Sequence, residues 1–272
     1  MCKILRISRS GFYAWVDRPE SDRARENRKL TELIRNVFDD SREIYGAPRV
    51  FRALRYRGVL CGRHRVARLM RVEGLRSKTR RRFRVKTTDS EHSLPIAPDR
   101  IDRDFRAKAP NQVWVSDMTY IQTGEGWLYL AVTMDLFSRR VVGWSMAPSM
   151  HSQIVVDALA MAIDQRSPAS GLIHHSDRGS QYASDLFRTL LAKHGVVPSM
   201  SRKGNCYDNA AMESFFHSLK TELVKHEHYR THEQAKASLF DYIEIFYNRQ
   251  RLHSTIGYMT PSDFERRNTE AA

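Results

Sequence analysis

The stretch from Gln112 to Val224 limits the fold most narrowly. "QVWVSDMTYI" alternates with a period of two, and "GWLYLAVTMDLFS" and "RRVVGWSM" follow after short turns. These segments predict three strands of an antiparallel meander. "SQIVVDALAMAIDQR" then switches to the spacing of an amphipathic helix. A fourth strand in "GLIHHS", a helix in "SDLFRTLLAKHG", a fifth strand in "VVPSM" and a long helix in "DNAAMESFFHSLKTELV" complete the series. Such an order predicts an α/β layer on a mixed five-stranded sheet.

Upstream, every periodic segment is helical. "ILRISRSGFYAWVDRPE" reads as the end of a first helix, a turn, and a second helix from about Ser8, stopped before Pro19. In "RENRKLTELIRNVFDDS", Leu30, Leu33, Ile34, Val37 and Phe38 recur at helical spacing. Two short helices flank Gly58–Gly62, one packing through Val50, Leu54 and Val59, the other through Val66, Leu69 and Met70. With Arg63, Arg65, Arg68 and Arg71 on the second, this pair predicts a helix-turn-helix. The plainer alternative is a small helical bundle with a basic surface. From Arg76 to Pro110 the pattern dissolves into a basic and then Pro-rich linker, which includes Arg80, Arg81 and Arg82.

Charge is partitioned the same way. The 272-residue chain has a formal net charge of +14, yet residues 1–110 carry 29 Lys+Arg against 14 Asp+Glu, and the remainder 16 against 17. Between Arg49 and Lys86 there are 15 basic residues and one acid, Glu73. A surface that one-sided predicts a polyanion partner, DNA or RNA, bound with release of counterions. Cys2, Cys61 and Cys206 are widely spaced, which excludes a CxxC zinc site and a disulfide framework. No apolar run reaches the ~18–20 residues of a membrane span, and "MCKILRISRS" lacks a signal-peptide core. The expected location is the cytoplasm, associated with the nucleoid.

Three acids fall at strategic points. Asp117 lies in the first strand on the face of Val113, Val115 and Thr119, and Asp177 follows the fourth strand. Glu213 begins a polar stripe with His217 and Lys220 on the last helix, beside the apolar stripe of Met212, Phe216, Leu219 and Leu223. Singly, each has an ordinary reading: a strand-end hydrogen bond, a turn initiator, a charge favourable to the helix dipole. Together, three converging carboxylates repel unless a cation joins them. Hard oxygen ligands suit Mg²⁺ or Mn²⁺, and two such ions can clamp the attacking and leaving oxygens of a phosphodiester.

Asp177 and Glu213 have thirty-five residues between them, as in retroviral-integrase-like DDE transposases. "WVSDMTYI", "HHSDRGSQYAS", "SRKGNCYDNAAMESFFHSLKTE" and "YNRQRLHSTIGYMTPSDFE" likewise resemble the catalytic, second-reading-frame protein (OrfB) of bacterial insertion sequences of the IS-three family, over nearly the whole chain. That resemblance implies a partial helix-turn-helix at 1–20, a basic helical DNA-binding domain at 21–85, a linker at 86–110, an RNase H-like catalytic core at 111–225 and a C-terminal helical tail at 226–272. It implies Asp117, Asp177 and Glu213 as catalytic residues and ligands of two divalent ions, Mg²⁺ or Mn²⁺. Lys220 matches a position that contacts the DNA end, and Arg63, Arg65, Arg68, Arg71, Arg80, Arg81 and Arg82 are candidate DNA contacts. The expected partners are the element's terminal inverted repeats, target DNA, further copies of the chain, and the upstream-frame protein or a frameshift fusion with it.

Other positions read as support. Asp208 or Asn209 is expected to cap the Glu213 helix, His174 and His175 to buttress Asp177, and Tyr247, Asn248, Arg251 and His253 to pack the tail on the core. Met146, Met150, Trp127, Tyr129 and Trp144 read as core. A transposase is the leading expectation. A non-catalytic DNA-binding regulator would have no reason to keep all three acids. A simple RNase H-like nuclease would not need the basic N-terminal part.

Overall fold

The computed structural model describes residues 2, 4–78, 94–102, 107–202 and 209–269. The chain forms two compact units, Met1–Ser77 and Lys78–Ala272.

The first unit is helical: α1 (Arg9–Val16), α2 (Asp22–Asp40), α3 (Ala47–Tyr56) and α4 (Arg63–Val72). Ser21 starts α2 by accepting from the Ala24 amide at 3.2 Å, a Ser cap of the ordinary kind. Leu30, Ile34, Val37 and Phe38 of α2, Val50 and Leu54 of α3, and Val66, Leu69 and Met70 of α4 are buried. Leu33, expected in that stripe, is 37% exposed because it falls on the edge of the buried arc. α3 turns into α4 at Gly58, whose φ of +77° is open to glycine at little cost.

The second unit is built on β1 (Val113–Thr123), β2 (Gly126–Asp135), β3 (Val141–Ala147), β4 (Ile173–Ser176) and β5 (Val197–Met200), in the order β3-β2-β1-β4-β5. β1, β2 and β3 form an antiparallel meander, and β4 and β5 join β1 in parallel. The mixed five-stranded sheet is as expected. The parallel joins are supplied by α5 (Gln153–Arg166), which crosses over from β3 to β4, and α7 (Asp185–Lys193), which links β4 to β5. A four-residue helical turn, α6 (Ser180–Ala183), was not legible in the sequence because its length gives no periodicity.

One layer of core lies between the sheet and α5–α7, where Trp114, Ala131, Val142, Ala158, Leu159, Tyr182 and Phe187 are buried together. Each large apolar side chain so buried contributes about 1.5–3 kcal/mol. α8 (Ala210–Glu222) contributes Met212, Phe215, Phe216 and Leu219 to the buried interior. The tail follows as α9 (His232–Phe240), a wide π-helical turn (Asp241–Tyr247) and α10 (Pro261–Thr269). Part of the expected linker is also folded. Ile101 is buried, and the Arg100 amide donates to Ser199 Oγ at 2.9 Å.

β3 and α5 meet without a side chain between them at Gly143. A Cβ there would lie 2.1 Å from the Ala158 carbonyl oxygen and 2.7 Å from the Ala162 Cβ. Overpacking of this kind forces backbone shifts costing typically 1–3 kcal/mol. Gly143→Ala should therefore lower the unfolding midpoint clearly, whereas substitution at the open Gly62, where a Cβ meets nothing within 4 Å, should not. Thermal unfolding of the two variants checks this.

Candidate active site

β1 and β4 share one register: Val113 pairs with Ile173, Trp114 with His174 and Val115 with His175. Continued two residues, it sets Asp117 beside Asp177, on neighbouring strands spaced by roughly 4.8 Å. β4 ends at Ser176, so β1 runs on alone beyond the pairing and its edge opens into a cleft. Asp117 and Asp177 line it together with Gly179, Tyr182, Tyr120, Tyr129 and Met150, and Gln181 Nε2 donates to the Met150 carbonyl at 3.2 Å.

Each aspartate is held by its own turn of backbone. Asp117 Oδ1 accepts from the Met118 amide at 2.7 Å, and Asp177 Oδ1 from the Gly179 amide at 2.9 Å. Gly179 permits that approach, because a Cβ there would stand 3.0 Å from Asp177 Oδ1. Burial, with Asp177 next and Glu213 also contributing, holds the Asp117 carboxyl well above the usual carboxylate range. The Asp177 and Glu213 charges both push the Asp117 carboxyl in that same direction. Among the described residues no three His, Cys, Asp or Glu side chains close into a ligating cluster.

Polar groups beneath the aspartates are satisfied in pairs. Ser116 Oγ lies 2.7 Å from His174 Nε2 and 2.8 Å from Thr133 Oγ1, and His175 Nδ1 lies 2.8 Å from Ser199 Oγ. Burial drives the His174 pKa down to about 3, so the ring is neutral there. Both histidines thus brace the strand end. Arg178 Nε donates to the Ser201 carbonyl at 2.6 Å and ties the turn after Asp177 to the end of β5.

α8 is fixed at both ends. Asn209 precedes it, yet its side chain makes no cap bond and donates instead to the Ser116 carbonyl at 3.2 Å, one residue before Asp117. A cap was expected. A tether to β1 is found, and no local pattern could have announced a contact 93 residues away. Asp208, the other candidate cap, and Asn205 lie outside the described residues. At the far end, Glu222 is buried against Arg251, with Arg251 Nη2 to Glu222 Oε1 at 2.5 Å and Nε to Oε2 at 2.7 Å. Tyr242 donates to the same carboxylate at 2.7 Å. Asn248 meets the Val141 backbone with two 3.0 Å hydrogen bonds, like a strand edge. The tail signature therefore packs against the core, as expected. Glu222 was missed because its partner is 29 residues away.

Lys220 bends toward the cleft, its Nζ 5.2 Å from the Tyr120 ring centroid. Burial lowers its pKa, while Asp117 pulls the other way. Trp127 and Met150 do not join the core: they are 47% and 42% exposed. Trp127 is the second residue of β2. Tyr182 is buried, and its hydroxyl has no hydrogen-bond partner among the described residues.

In the first unit, Arg63, Arg68 and Arg71 are exposed on α4, as is His64, which was not anticipated. Arg65 turns inward, donating to Asn27 Oδ1 at 2.8 Å and Glu26 Oε2 at 3.1 Å. Arg80, Arg81 and Arg82 lie outside the described residues.

Residues 107–206 and 213–268 match two families described as integrase core domain, and residues 24–83 match an HTH-like domain. The chain is 45% identical over 264 residues to the "Insertion element IS600 uncharacterized 31 kDa protein" of Shigella sonnei, covering 97% of each. It is 44% identical over 270 residues to "Transposase InsF for insertion sequence IS3A" of Escherichia coli (strain K12), covering 98% of this chain and 93% of that protein. Its fold is shared with a chain in a simian T-cell lymphotropic virus intasome, at a TM-score of 0.50 and 19% identity, covering 78% of this chain and 69% of that one. These matches define a polynucleotidyl transferase of the integrase type, acting on DNA in transposition. The chain belongs to the IS3-family insertion-sequence transposases.

A carboxyl whose pKa is raised on folding costs stability when ionised. Stability is then greatest below the ordinary carboxylate pKa and is lost as pH rises toward the folded value. Asp117→Asn should therefore raise the unfolding midpoint of the metal-free chain at neutral pH, by about 2–4 °C per kcal/mol relieved. The gain should vanish at pH 3. Calorimetry at the two pH values checks it.

Proposed function

We propose that this transposase cuts a DNA strand at the ends of its insertion sequence and joins the freed end to new DNA, in a reaction that depends on divalent metal. The observation that supports the reading is the parallel β1–β4 register, which continued two residues sets Asp117 beside Asp177, both lining one cleft.

The donor set fits a hard cation. All three groups offer carboxylate oxygens, and the raised Asp117 pKa marks an excess of negative charge that a cation would relieve. Asp117, Asp177 and Glu213 would hold it, as Mg²⁺ or Mn²⁺ and as two ions, once the three draw together. Bound there, the metal would supply charge stabilisation to the attacking and leaving oxygens.

The chain's own part is positioning. Water adds to phosphorus, the P–O3′ bond breaks, and the 3′-oxygen leaves with a proton as a hydroxyl. That hydroxyl then adds to a second phosphodiester, losing its proton and displacing another 3′-oxygen. No covalent bond to the protein forms, so rate comes from alignment and charge. The sheet edge holds Asp117 and Asp177, α8 brings Glu213, and the Asn209 and Arg251 anchors keep α8 in place. Lys220 neutralises a phosphate of the bound end.

The first unit supplies recognition of the terminal repeats through Arg63, His64, Arg68 and Arg71, and several copies assemble on the two ends. Among the described residues no helix is long and apolar enough to cross a membrane, and the chain's work is placed on cytoplasmic, nucleoid DNA.

Two experiments test this. Glu213→Gln and Asp177→Asn should each reduce Mg²⁺-dependent nicking of an end-bearing duplex at least about a hundredfold, with DNA affinity within a few-fold of wild type. Undiminished nicking by either refutes the site. Arg68→Ala should weaken DNA binding and lower the salt slope by about 1. Arg65→Ala should act mainly on the unfolding midpoint, since its partners are Asn27 and Glu26. Binding isotherms at several salt concentrations distinguish the two.

A further inference from the structure

Trp127 is a large apolar side chain left 47% exposed beside the acid cleft, and packing gives no reason for it. On the β1–β2 ladder Tyr120 pairs with Tyr129 and Gln122 with Trp127, so these four side chains share one face of the sheet. The Tyr120 and Trp127 rings meet edge to face, with centroids 4.8 Å apart and planes at 78°. Tyr120, Tyr129 and Met150 line the same cleft as Asp117 and Asp177. Met150 is 42% exposed, so the wall faces solvent. Lys220 places its ammonium 5.2 Å from the centre of the Tyr120 ring.

The cleft thus joins two chemistries. Its carboxylates would take a phosphodiester with a cation, and the rest of its lining offers aromatic faces, a thioether and, beside Tyr120, one ammonium. Aromatic rings beside a cation are how proteins hold single nucleotides: the ring stacks on any base, and the cation meets the phosphate. A base still stacked in a duplex has no free face to offer, so the occupant must be unpaired. A protein partner would ask for a far larger surface than one tryptophan and one methionine.

We propose that Trp127, Tyr120 and Tyr129 receive the unpaired nucleobase adjoining the phosphodiester held at Asp117 and Asp177, with Lys220 on that nucleotide's phosphate. This rests on the cleavage reading above and extends it: the enzyme works on an opened DNA end, and the platform holds the base that opening releases. Because stacking is tolerant of base identity, the platform secures the end without reading its sequence.

The test uses the full chain with a chelator present. The probes are two duplex oligonucleotides with a single unpaired 3′ nucleotide, one carrying 2-aminopurine and the other abasic. Wild type should prefer the 2-aminopurine probe about tenfold, within the range for one base stacked on an aromatic side chain, and should quench its fluorescence. Trp127→Ala should reduce the preference to within about twofold, and Trp127→Phe should restore most of it. Equal affinity of wild type for both probes, or a preference unchanged in Trp127→Ala, overturns the proposal. So does a change in oligomeric state of Trp127→Ala with base preference kept, which would make the patch a contact between copies. The same preparations are assayed for nicking in Mg²⁺. Base preference without nicking counts against the cleavage reading alone, and nicking without base preference counts against the platform alone.

Discussion

The β1–β4 register, continued past Val115 and His175, sets the Asp117 and Asp177 carboxylates side by side, where they repel each other, and the strands around them hold them there. Asp117 bears the cost, its carboxyl pushed up first by burial and then by Asp177. An isolated strand end would relieve such repulsion by splaying apart. Here β1 is locked on its far side by a ten-pair ladder with β2, and β4 is locked on its far side by β5. The cleft opens only where β4 stops and β1 continues, so the site is a consequence of unequal strand lengths.

The second line of restraint is polar. A buried hydroxyl or imidazole is costly unless paired, and around the strand ends the pairings also carry position. Ser116 binds His174 and Thr133 through its side chain and Asn209 through its carbonyl, so three strands and the start of α8 meet one residue before Asp117. The buried Glu222–Arg251 pair does the same at the other end of α8. Breaking such a pair typically costs 3–5 kcal/mol, because the surviving charge stays buried. That explains how Arg251, far along the tail, fixes the helix that carries Glu213.

The five strands and the mixed character of their sheet were legible because their signals are local: period-two alternation and a switch to helical spacing. What stayed hidden is long-range. Asn209 reads as a cap from its neighbours, and only the folded chain shows its amide on β1. Arg65 sits in the same basic series as Arg63 and Arg68 and has no feature of its own, yet α2 approaches it with Asn27 and Glu26. Trp127 reads as core since tryptophans usually are. At the start of β2 it is instead 47% exposed, and residue type alone does not report that.

The division of charge between the units follows from the chemistry. A cleft that gathers carboxylates repels the phosphodiester it must act on until a cation intervenes, and the core's near balance of 16 basic against 17 acidic residues in 111–272 adds little attraction. Affinity for DNA has to be supplied elsewhere, and the excess of basic residues in 1–110 supplies it. That attraction is screened by salt and indifferent to sequence. It can bring DNA to the protein but cannot select one phosphodiester among many. Under the proposed function, selection would then fall to short-range groups: the exposed face of α4 for the repeat, and in the cleft the few side chains that are neither acid nor core.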